Sequence, residues 1–225
     1  MMRRFKLGKI LALALTTALV LCGCGQYTTT TAQNSNTAQE SNVAQNSGAS
    51  QENVENTELL SGKHHVNIVI QDKGTIAVEL DADVAPITVT NFVNLAKDGF
   101  YDGVVFHRII EGFMMQGGDP TGTGTGGSGT TIKGEFAKNG VENNLSHTRG
   151  AISMARSKKN DSASSQFFIV HEDSTYLDGQ YACFGYVTEG MEIVDDICEN
   201  TEGGDANGII PEANRPVIET IEVVD

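Results

Sequence analysis

One arginine, Arg108, lies in a mainly apolar stretch, residues 106–110, and Gln116 follows eight residues later. Side chains on an extended strand alternate between its two faces, so Arg108 would share a face with the phenylalanine and the isoleucine at the ends of that stretch. After the Glu111-Gly112 turn, Met114 and Gln116 would share a face in the same way. A guanidinium among large apolar side chains predicts either a charged partner or a functional site.

The residues around Arg108 leave both interpretations open. A structural ion pair across a sheet would need a carboxylate, and Glu79 and Asp119 are candidates. A functional site would use the guanidinium as a hydrogen-bond donor that remains charged. The side chains that follow favour the functional interpretation: Phe113, Met114 and Gln116.

Other chemistries have weaker support in the sequence. Residues 122–127 match the G-x-G-x-x-G pattern, but no amphipathic helix and no P-loop lysine follow, so we expect a mobile loop that borders a groove. Ser128 lacks a G-x-S-x-G frame, which disfavours a serine hydrolase. His64 and His65 have no accompanying HExxH or CxxC motif, so we expect surface histidines, with no metal and no cofactor.

The N-terminus has the composition of an export signal. Residues 1–9 contain four basic side chains and no acidic one, and residues 10–21 are an uninterrupted run of Leu, Ala, Val, Ile and Thr. Twelve residues of helix would be about 18 Å long, well short of the roughly 30 Å hydrocarbon core of a bilayer. This length favours a signal peptide over a spanning helix.

The end of this signal, Leu21-Cys22-Gly23-Cys24, resembles the lipobox of bacterial lipoproteins. Cys24 follows a small residue, whereas Cys22 follows the bulky Leu21. The resemblance implies a signal peptide over residues 1–23 and a lipid on the Cys24 thiol, and two acyl chains are what stable anchoring requires. Ordinary cleavage without a lipid is the alternative. We expect an extracytoplasmic protein that is lipid-anchored to a bacterial cell membrane.

After the signal, we expect a polar tether over residues 24–62 and a folded domain over residues 63–225. The tether is rich in Gln, Asn, Thr, Ser and Ala without periodicity, a composition typical of disorder. Without the signal, the chain carries 11 basic and 29 acidic side chains, a net charge of −18. Such a charge repels phosphate backbones, so we expect no nucleic-acid partner. We also expect a monomer.

Two cysteines, Cys183 and Cys198, lie in the predicted domain, and their spacing leaves open whether they pair. Cys183 is part of an apolar run and Cys198 ends an amphipathic stretch, so two separate buried thiols are at least as well supported as a disulfide.

Periodicity in the domain predicts many short strands and two helices. Alternating apolar residues predict strands at residues 66–70 and 74–80, and Pro86 begins a helical pattern that ends at Lys97. A second helical pattern begins near Met191. A strand pair around the Glu111-Gly112 turn and shorter strands follow the first helix, at residues 151–155, 166–170, 181–187 and 217–224. We therefore expect a mainly β fold, a closed antiparallel barrel with helical caps.

Three segments resemble the cyclophilin family of peptidyl-prolyl cis/trans isomerases. In chain order they are Phe106-His107-Arg108-Ile109-Ile110-Glu111-Gly112-Phe113-Met114-Met115-Gln116-Gly117-Gly118-Asp119, then Ser165-Gln166-Phe167-Phe168-Ile169, then Leu177-Asp178-Gly179 with Phe184-Gly185. The resemblance spans roughly residues 64–225. It implies a closed eight-stranded antiparallel β-barrel capped by two α-helices, and an enzyme that accelerates rotation about Xaa-Pro bonds in exported polypeptides.

The resemblance also implies roles for individual residues. Arg108 matches the catalytic arginine, and the apolar pocket for the proline ring is matched by Phe113, Met114, Phe168 and Leu177. The rest of the peptide groove is matched by His107, Gln116, Ala155, Arg156, Gln166, Tyr176 and Tyr181.

Four positions depart from well-known eukaryotic members of the family. Tyr176 replaces the tryptophan at the pocket edge, Tyr181 replaces the histidine after Leu-Asp-Gly, and Arg156-Ser157 replaces Asn-Ala. Because the indole N–H donor is lost at Tyr176, we expect weakened binding of cyclosporin.

Two other classes of function are compatible with an exported, anchored protein. A proline-peptide binding or chaperone module would keep the groove with little turnover, although the intact set of Arg108, Phe113 and Gln116 argues for catalysis. A solute-binding lipoprotein is a poorer fit, because about 160 folded residues are few for two lobes around a ligand cleft.

Overall fold

The computed structural model of the protein describes residues 58–225. The predicted signal peptide, Cys24 and most of the predicted tether lie outside the described residues. Leu60 already packs against the core, and its backbone N–H donates to Thr90 Oγ1 at 2.9 Å. Leu60 thus contacts the domain three residues before Lys63, where we expected the domain to begin. No helix within residues 58–225 has the length and apolar character needed to span a bilayer.

Eight strands and two helices form the domain. The strands are β1 (Lys63–Ile70), β2 (Gly74–Asp81), β3 (Arg108–Ile110), β4 (Met114–Gly117), β5 (Ala151–Met154), β6 (Phe167–Val170), β7 (Cys183–Glu189) and β8 (Ile218–Val223). The helices are α1 (Pro86–Lys97) and α2 (Met191–Asn200). The strands and helices predicted from periodicity are present, and most of their ends lie within three residues of the predicted ones.

The strands make one antiparallel sheet in the order β3-β4-β6-β5-β7-β2-β1-β8. Helix α1 packs against β8 and β2, and α2 packs against β2, β3 and β4. The mainly β architecture with two helices is confirmed. Full closure was an overstatement, because the edge strands β3 and β8 are joined only through irregular segments: Val105 bridges Val217, and Phe106 N–H donates to Pro216 O at 2.9 Å.

Alternation of side chains divides the apolar residues between two clusters. On β6, Phe167 and Ile169 point into the main core, whereas Phe168 and Val170 belong to a smaller cluster on the other face of the sheet. The main core is centred on Phe92 of α1, whose ring centroid lies 5.3 Å from that of Phe167 in an edge-to-face arrangement. The smaller cluster forms the floor of the groove described below.

A carboxylate distant in sequence caps the first helix. Pro86 occupies the first turn, as expected, but Ala85 offers no side-chain cap. Instead, buried Glu135 accepts hydrogen bonds from Ile87 N–H at 3.0 Å and from Thr88 N–H at 2.8 Å. A negative charge at a helix N-terminus satisfies its free donors and opposes the positive end of the helix dipole.

The two cysteines of the domain are both buried and unpaired. Cys198 of α2 belongs to the main core, whereas Cys183 of β7 belongs to the smaller cluster. Burial raises the pKa of each thiol to about 12, so both are unreactive at neutral pH. Of the two possibilities left open by the sequence, separate thiols are the one observed.

Candidate active site

A tight hairpin brings the two polar residues of the opening stretch together. Strand β3 pairs with β4 so that Arg108 lies opposite Gln116, and Gly112 forms the turn with a φ of 73°. A positive φ of this size favours glycine. Arg108 Nη1 donates to Gln116 Oε1 at 3.3 Å. The eight-residue spacing therefore produces a cross-strand pair.

A backbone carbonyl holds the other side of the Arg108 guanidinium. Arg108 Nε donates to the carbonyl oxygen of Asn207 at 2.8 Å. Asp205 Oδ1 stabilises the turn that presents this carbonyl, since it accepts from Asn207 N–H at 2.8 Å and from Ile209 N–H at 2.9 Å. The sequence analysis missed this contact. The Asp-Ala-Asn-Gly run is a turn signal, but nothing in it indicates which side chain the turn would meet.

Arg108 has no carboxylate within 4 Å in the described part of the chain. Of the two candidate partners, Glu79 pairs with Lys63 at 3.2 Å, and Asp119 accepts hydrogen bonds from its own loop. Burial lowers the pKa of Arg108 from its ordinary value, but a guanidinium remains protonated in proteins. A charged donor without an ionic partner therefore faces the groove.

Next to Arg108 lies an apolar pocket of about 180 Å³. Nine of the twelve predicted site residues line it: Arg108, Phe113, Met114, Gln116, Ala155, Arg156, Phe168, Leu177 and Tyr181. Its floor is the smaller apolar cluster, in which Met114 is 1 % and Phe168 is 5 % exposed. Arg108 and Arg156 are its only charged lining residues.

A buried polar chain supports the pocket from behind, and the sequence analysis did not identify it. Both ring nitrogens of His147 form hydrogen bonds. Nδ1 lies 2.8 Å from Asp178 Oδ1, and Nε2 lies 2.9 Å from Ser153 Oγ. The His147 ring also stacks on Phe168, with centroids 6.0 Å apart and an interplanar angle of 17°. Burial lowers the pKa of His147, against the effect of the Asp178 carboxylate. The neutral ring therefore donates to Asp178 and accepts from Ser153, which fixes the plane against which Phe168 packs.

His171 connects the hairpin turn to the rest of the domain through hydrogen bonds. His171 Nδ1 accepts from Gly112 N–H at 2.9 Å, and its backbone N–H donates to Phe113 O at 2.9 Å. On the other side of the ring, Nε2 lies 3.3 Å from Asp195, which also makes a bidentate ion pair with Arg149. This arrangement holds Phe113 at the edge of the pocket.

A second pocket of about 310 Å³ adjoins the first and shares Gln116, Ala155 and Arg156 with it. Gln166, a predicted site residue, lies here: its side chain accepts from Gln116 Nε2 at 2.9 Å and donates to Gly126 O at 2.8 Å. The glycine-rich loop at residues 124–126 forms one wall, as expected of a loop that borders a groove.

Asp119 holds this loop in place, whereas composition predicted a mobile one. Its carboxylate accepts from Thr121 N–H at 2.8 Å, Gly124 N–H at 2.7 Å and Gly126 N–H at 3.0 Å. Burial alone would raise the pKa of Asp119, but these hydrogen bonds outweigh it and lower the pKa to about 2. The glycines are needed for close approach, because a side chain at Gly126 would collide with Asp119.

The two remaining predicted residues lie outside both pockets. Tyr176 is 64 % exposed at the edge, with its ring centroid 6.0 Å from that of Phe113. His107 is only 1 % exposed and lines neither pocket, so the structure does not bring it together with the other predicted residues. The physical reason is alternation: His107 precedes Arg108, and neighbouring side chains on an extended segment point to opposite faces.

These features define what the site can do chemically. The groove offers two charged hydrogen-bond donors, Arg108 and Arg156, an apolar pocket of the size of one ring, and amide groups beside them. The described residues contain no group of three or more His, Cys, Asp or Glu side chains suited to a metal ion. The groups present are suited to bind an apolar ring and to donate a hydrogen bond next to it.

Comparison with known proteins agrees with this geometry. The family model described as cyclophilin type peptidyl-prolyl cis-trans isomerase/CLD matches residues 65–223. Peptidyl-prolyl cis-trans isomerase B of Bacillus subtilis is 48 % identical over 137 residues, which cover 61 % of this chain and 90 % of that protein. A peptidyl-prolyl cis-trans isomerase of Helicobacter pylori is 50 % identical over 128 residues, 56 % of this chain and 76 % of that protein.

A solved structure extends the similarity to the fold. The crystal structure of a Cryptosporidium parvum cyclophilin type peptidyl-prolyl cis-trans isomerase, determined in the presence of the dipeptide Ala-Pro, has a TM-score of 0.63. Its sequence identity is 33 %, and the match covers 72 % of this chain and 99 % of that one. The family match over most of the chain, the sheet order and the assembled pocket lead to one conclusion: this chain belongs to the cyclophilin-type peptidyl-prolyl cis-trans isomerases.

Proposed function

We propose that this enzyme accelerates rotation about Xaa-Pro bonds in exported polypeptides, with Arg108 as the catalytic residue. The observation that carries the proposal is the position of the Arg108 guanidinium, a charged donor without a carboxylate partner in the described chain, at the edge of an apolar pocket. The Ala-Pro dipeptide named with the Cryptosporidium parvum structure supports a proline-containing substrate.

The chemistry requires neither a nucleophile nor a metal. The double-bond character of the amide sets a barrier of about 18–20 kcal/mol for rotation. When the bond is twisted, the prolyl nitrogen loses conjugation and becomes a better hydrogen-bond acceptor. A donor aimed at that nitrogen therefore stabilises the transition state more than either planar ground state.

The anchoring of Arg108 suits this role. Hydrogen bonds to Asn207 O and Gln116 Oε1 and a 4.0 Å contact from Nη1 to Met114 Sδ use three of the five guanidinium N–H groups, so the two on Nη2 remain for the substrate. Because the side chain is already held, little conformational freedom is lost when the substrate binds. The pocket formed by Phe113, Met114, Phe168 and Leu177 would hold the proline ring while the preceding residue turns.

The apolar pocket is small for a metabolite. Its volume of about 180 Å³ lies below the roughly 300–1,000 Å³ typical of small-molecule sites, which supports a single ring as the occupant. The proline-peptide binding module remains the second candidate, and turnover separates it from the enzyme.

Arg108→Ala tests the catalytic assignment. One charged hydrogen bond contributes about 1.5–3 kcal/mol, so we expect kcat/KM on a proline tetrapeptide to fall about 10- to 100-fold, with peptide affinity changed only a few-fold. Arg108→Lys should restore little, because an ammonium cannot keep both anchoring contacts and still face the substrate.

Lys97→Ala, at the exposed end of α1, is the control and should retain wild-type activity. Full activity of Arg108→Ala would overturn the role of Arg108. A wild-type chain that binds the peptide without turnover would instead support the binding module.

The place of action is part of the same proposal. The signal-like residues 1–23 and the lipobox resemblance at Cys24 support an extracytoplasmic enzyme that is anchored to a bacterial membrane by lipid. Labelling with a radioactive fatty acid in the native host should mark the chain, and Cys24→Ser should abolish the label. An unlabelled wild-type chain would contradict the anchor.

Two finer features complete the proposal. We propose that the enzyme works as a monomer, which sedimentation would test. We also propose that Tyr176, which lacks an indole N–H, weakens the affinity for cyclosporin relative to members with tryptophan at that position. Inhibitor titration in the isomerase assay measures this affinity directly.

A further inference from the structure

Four basic residues lie in the second pocket or in the segments next to it, and we call them the basic rim: Lys133, Arg156, Lys158 and Lys159. Arg156 lines the pocket itself. Lys158 and Lys159 lie in a short loop whose two ends, Ser157 and Ser162, also line it. That loop is closed by hydrogen bonds from Ser157 N–H to Ser162 Oγ at 3.0 Å and from Ser162 Oγ to Lys159 O at 2.7 Å.

Lys133 joins the rim through a neighbouring segment. Ile132 pairs with Ala163 as an isolated bridge, and Gly134 N–H donates to Asp161 Oδ1 at 3.0 Å. These contacts place the Lys133 backbone beside the end of the loop that carries Lys158 and Lys159. Asp161 is an acidic residue of this segment, and its carboxylate lowers the excess positive charge of the rim, although no basic side chain of the described residues lies within 4 Å of it.

The rim differs in charge from the rest of the domain. Residues 58–225 contain 11 basic and 26 acidic side chains, a net charge of −15. Three other bases, Lys63, Lys73 and Arg149, lie within 4 Å of carboxylates. Within the described residues, no rim side chain has such a partner, although acids outnumber bases more than twofold. Of the eight described bases without such a partner, four belong to the rim, and the other four are Lys97, Arg108, Lys138 and Arg215. Half of the unpaired bases thus lie in the second pocket or in the segments next to it.

Arg156 is held in a fixed orientation between the two pockets. Its guanidinium carbon lies 4.9 Å from the ring centroid of Phe136 and 4.7 Å from that of Tyr181. Nε and Nη2 donate to Gln180 O, and Nη1 donates to Ser157 O at 3.0 Å. Three of the five guanidinium N–H groups are thus occupied, and two remain without a partner in the described chain. Such preorganised donors suit a carboxylate.

The lining of the second pocket has the same polarity. It contains the hydroxyls of Ser157, Ser162 and Ser164 and no carboxylate. Because this pocket shares residues with the proline pocket, a peptide with its proline in the first pocket would place a flanking side chain in the second.

We infer that the basic rim selects substrates with an acidic residue close to the proline. This inference rests on the proposed isomerase function and concerns which sequences the same groove prefers. The occupant of the second pocket would be the carboxylate of Glu or Asp within about three residues of the proline, the span over which an extended chain covers roughly 10 Å.

The test compares matched peptides with the full chain. Each peptide carries one proline among alanines. Glu, Gln or Lys is placed in turn at each of the three positions before the proline and the two positions after it. Exchange between the cis and trans isomers is followed by NMR. At one or two adjacent positions, we expect Glu to raise kcat/KM about two- to fivefold over Gln and Lys to lower it. The difference should shrink in 0.5 M salt, where charges are screened within about 4–5 Å.

Variants connect the preference to the rim. In the double variant Lys158→Glu/Lys159→Glu, the ratio of kcat/KM for the Glu peptide to that for the Gln peptide should fall to one or below. Lys97→Glu is the control, because it makes the net charge more negative by half as much and Lys97 lies outside both pockets. The ratio of kcat/KM for the Glu peptide to that for the Gln peptide should remain that of the wild type. Thermal unfolding of each variant verifies the fold.

Three results would overturn the inference. Equal rates for Glu, Gln and Lys peptides at every position would do so while leaving the isomerase function intact. An unchanged ratio in the Lys158→Glu/Lys159→Glu variant, with its fold preserved, would assign the preference to another surface. Absence of exchange above the uncatalysed rate with every peptide would reject the isomerase function itself, and the inference with it.

Discussion

At the scale of single residues, Arg108 shows how a charge can be kept available inside a groove. A carboxylate partner would compete with the substrate for the guanidinium, and Arg108 has none within 4 Å in the described chain. Its anchors are neutral acceptors, the carbonyl of Asn207 at 2.8 Å and the amide of Gln116 at 3.3 Å. Neutral acceptors orient the side chain with weaker bonds than an ion pair would form.

Gly208 controls the carbonyl that orients Arg108. Its φ is 79°, and a Cβ at this position would lie 2.7 Å from the carbonyl oxygen of Ile109, so Gly208→Ala must displace the backbone that carries Asn207 O. A displacement of about 1 Å can reduce turnover by up to 100-fold. We expect kcat to fall about 10- to 100-fold with a smaller change in KM, measured by steady-state kinetics.

Gly62→Ala is the matched control for this prediction. Gly62 also has a φ of 79°, but a Cβ there would have nothing within 4 Å. The substitution should cost about 1 kcal/mol of stability through backbone strain and leave kcat unchanged. Equal kinetic effects of the two substitutions would mean that the position of the Asn207 carbonyl is unimportant.

At the scale of elements, the strand pairs β3–β4 and β5–β6 determine which face each site residue occupies. Their alternation directs Met114 and Phe168 to the groove and Met115 and Phe167 to the main core. The same alternation directs Arg108 outwards and His107 inwards. A shift of register by one residue would exchange these faces, so the hairpin turn at Gly112 is as important for the site as the residues themselves.

In the irregular segments, two carboxylates accept hydrogen bonds from several backbone N–H groups. Glu135 caps α1 from a position 47 or 48 residues along the chain, and Asp119 holds the glycine-rich loop through three backbone N–H groups. In both cases, a buried carboxylate satisfies donors that the local backbone leaves free. These two carboxylates therefore supply acceptors where regular backbone hydrogen bonding is absent.

At the scale of the whole molecule, the hydrogen-bonded aspartates predict a fold that loses stability in acid. Hydrogen bonds or ion pairs lower the pKa of seven aspartates: Asp119, Asp161, Asp178, Asp195, Asp196, Asp205 and Asp225. A carboxylate whose pKa is lower in the folded state than in the unfolded state stabilises the fold above the unfolded value of about 3.9, and this stability is lost as pH falls. For Asp119, with a folded pKa of about 2, the loss occurs between about pH 4 and pH 2.

We therefore expect the melting temperature to drop steeply below about pH 4, and Asp119→Asn to reduce that slope. Thermal unfolding followed by circular dichroism from pH 7 to pH 2.5 measures both. Asp72→Asn is the control, because Asp72 lies in the exposed β1–β2 turn with a φ of 62°, a conformation that asparagine tolerates. A slope in Asp119→Asn equal to that of the wild type would show that Asp119 does not contribute to acid unfolding.

The sequence alone was sufficient for the features that depend on local pattern. Periodicity located the helices and strands, because burial of one face imposes a period of 2 or 3.6 residues on the apolar positions. The ordered motifs around Arg108, Gln166 and Leu177 indicated the family and most of the groove residues. The motif also named His107, which is buried and lines neither pocket, because a motif names neighbours without stating their faces.

The tertiary structure decided what depends on contacts between distant segments. It determined the partner of Arg108, which is a carbonyl 99 residues away and not a carboxylate. It also determined the Glu135 cap, the incomplete closure between β3 and β8, the separation of the two cysteines and the proximity of Lys133 to the loop that carries Lys158 and Lys159. None of these has a local signature, because backbone carbonyls are identical at every residue and lysines on separate loops meet only after the chain has folded.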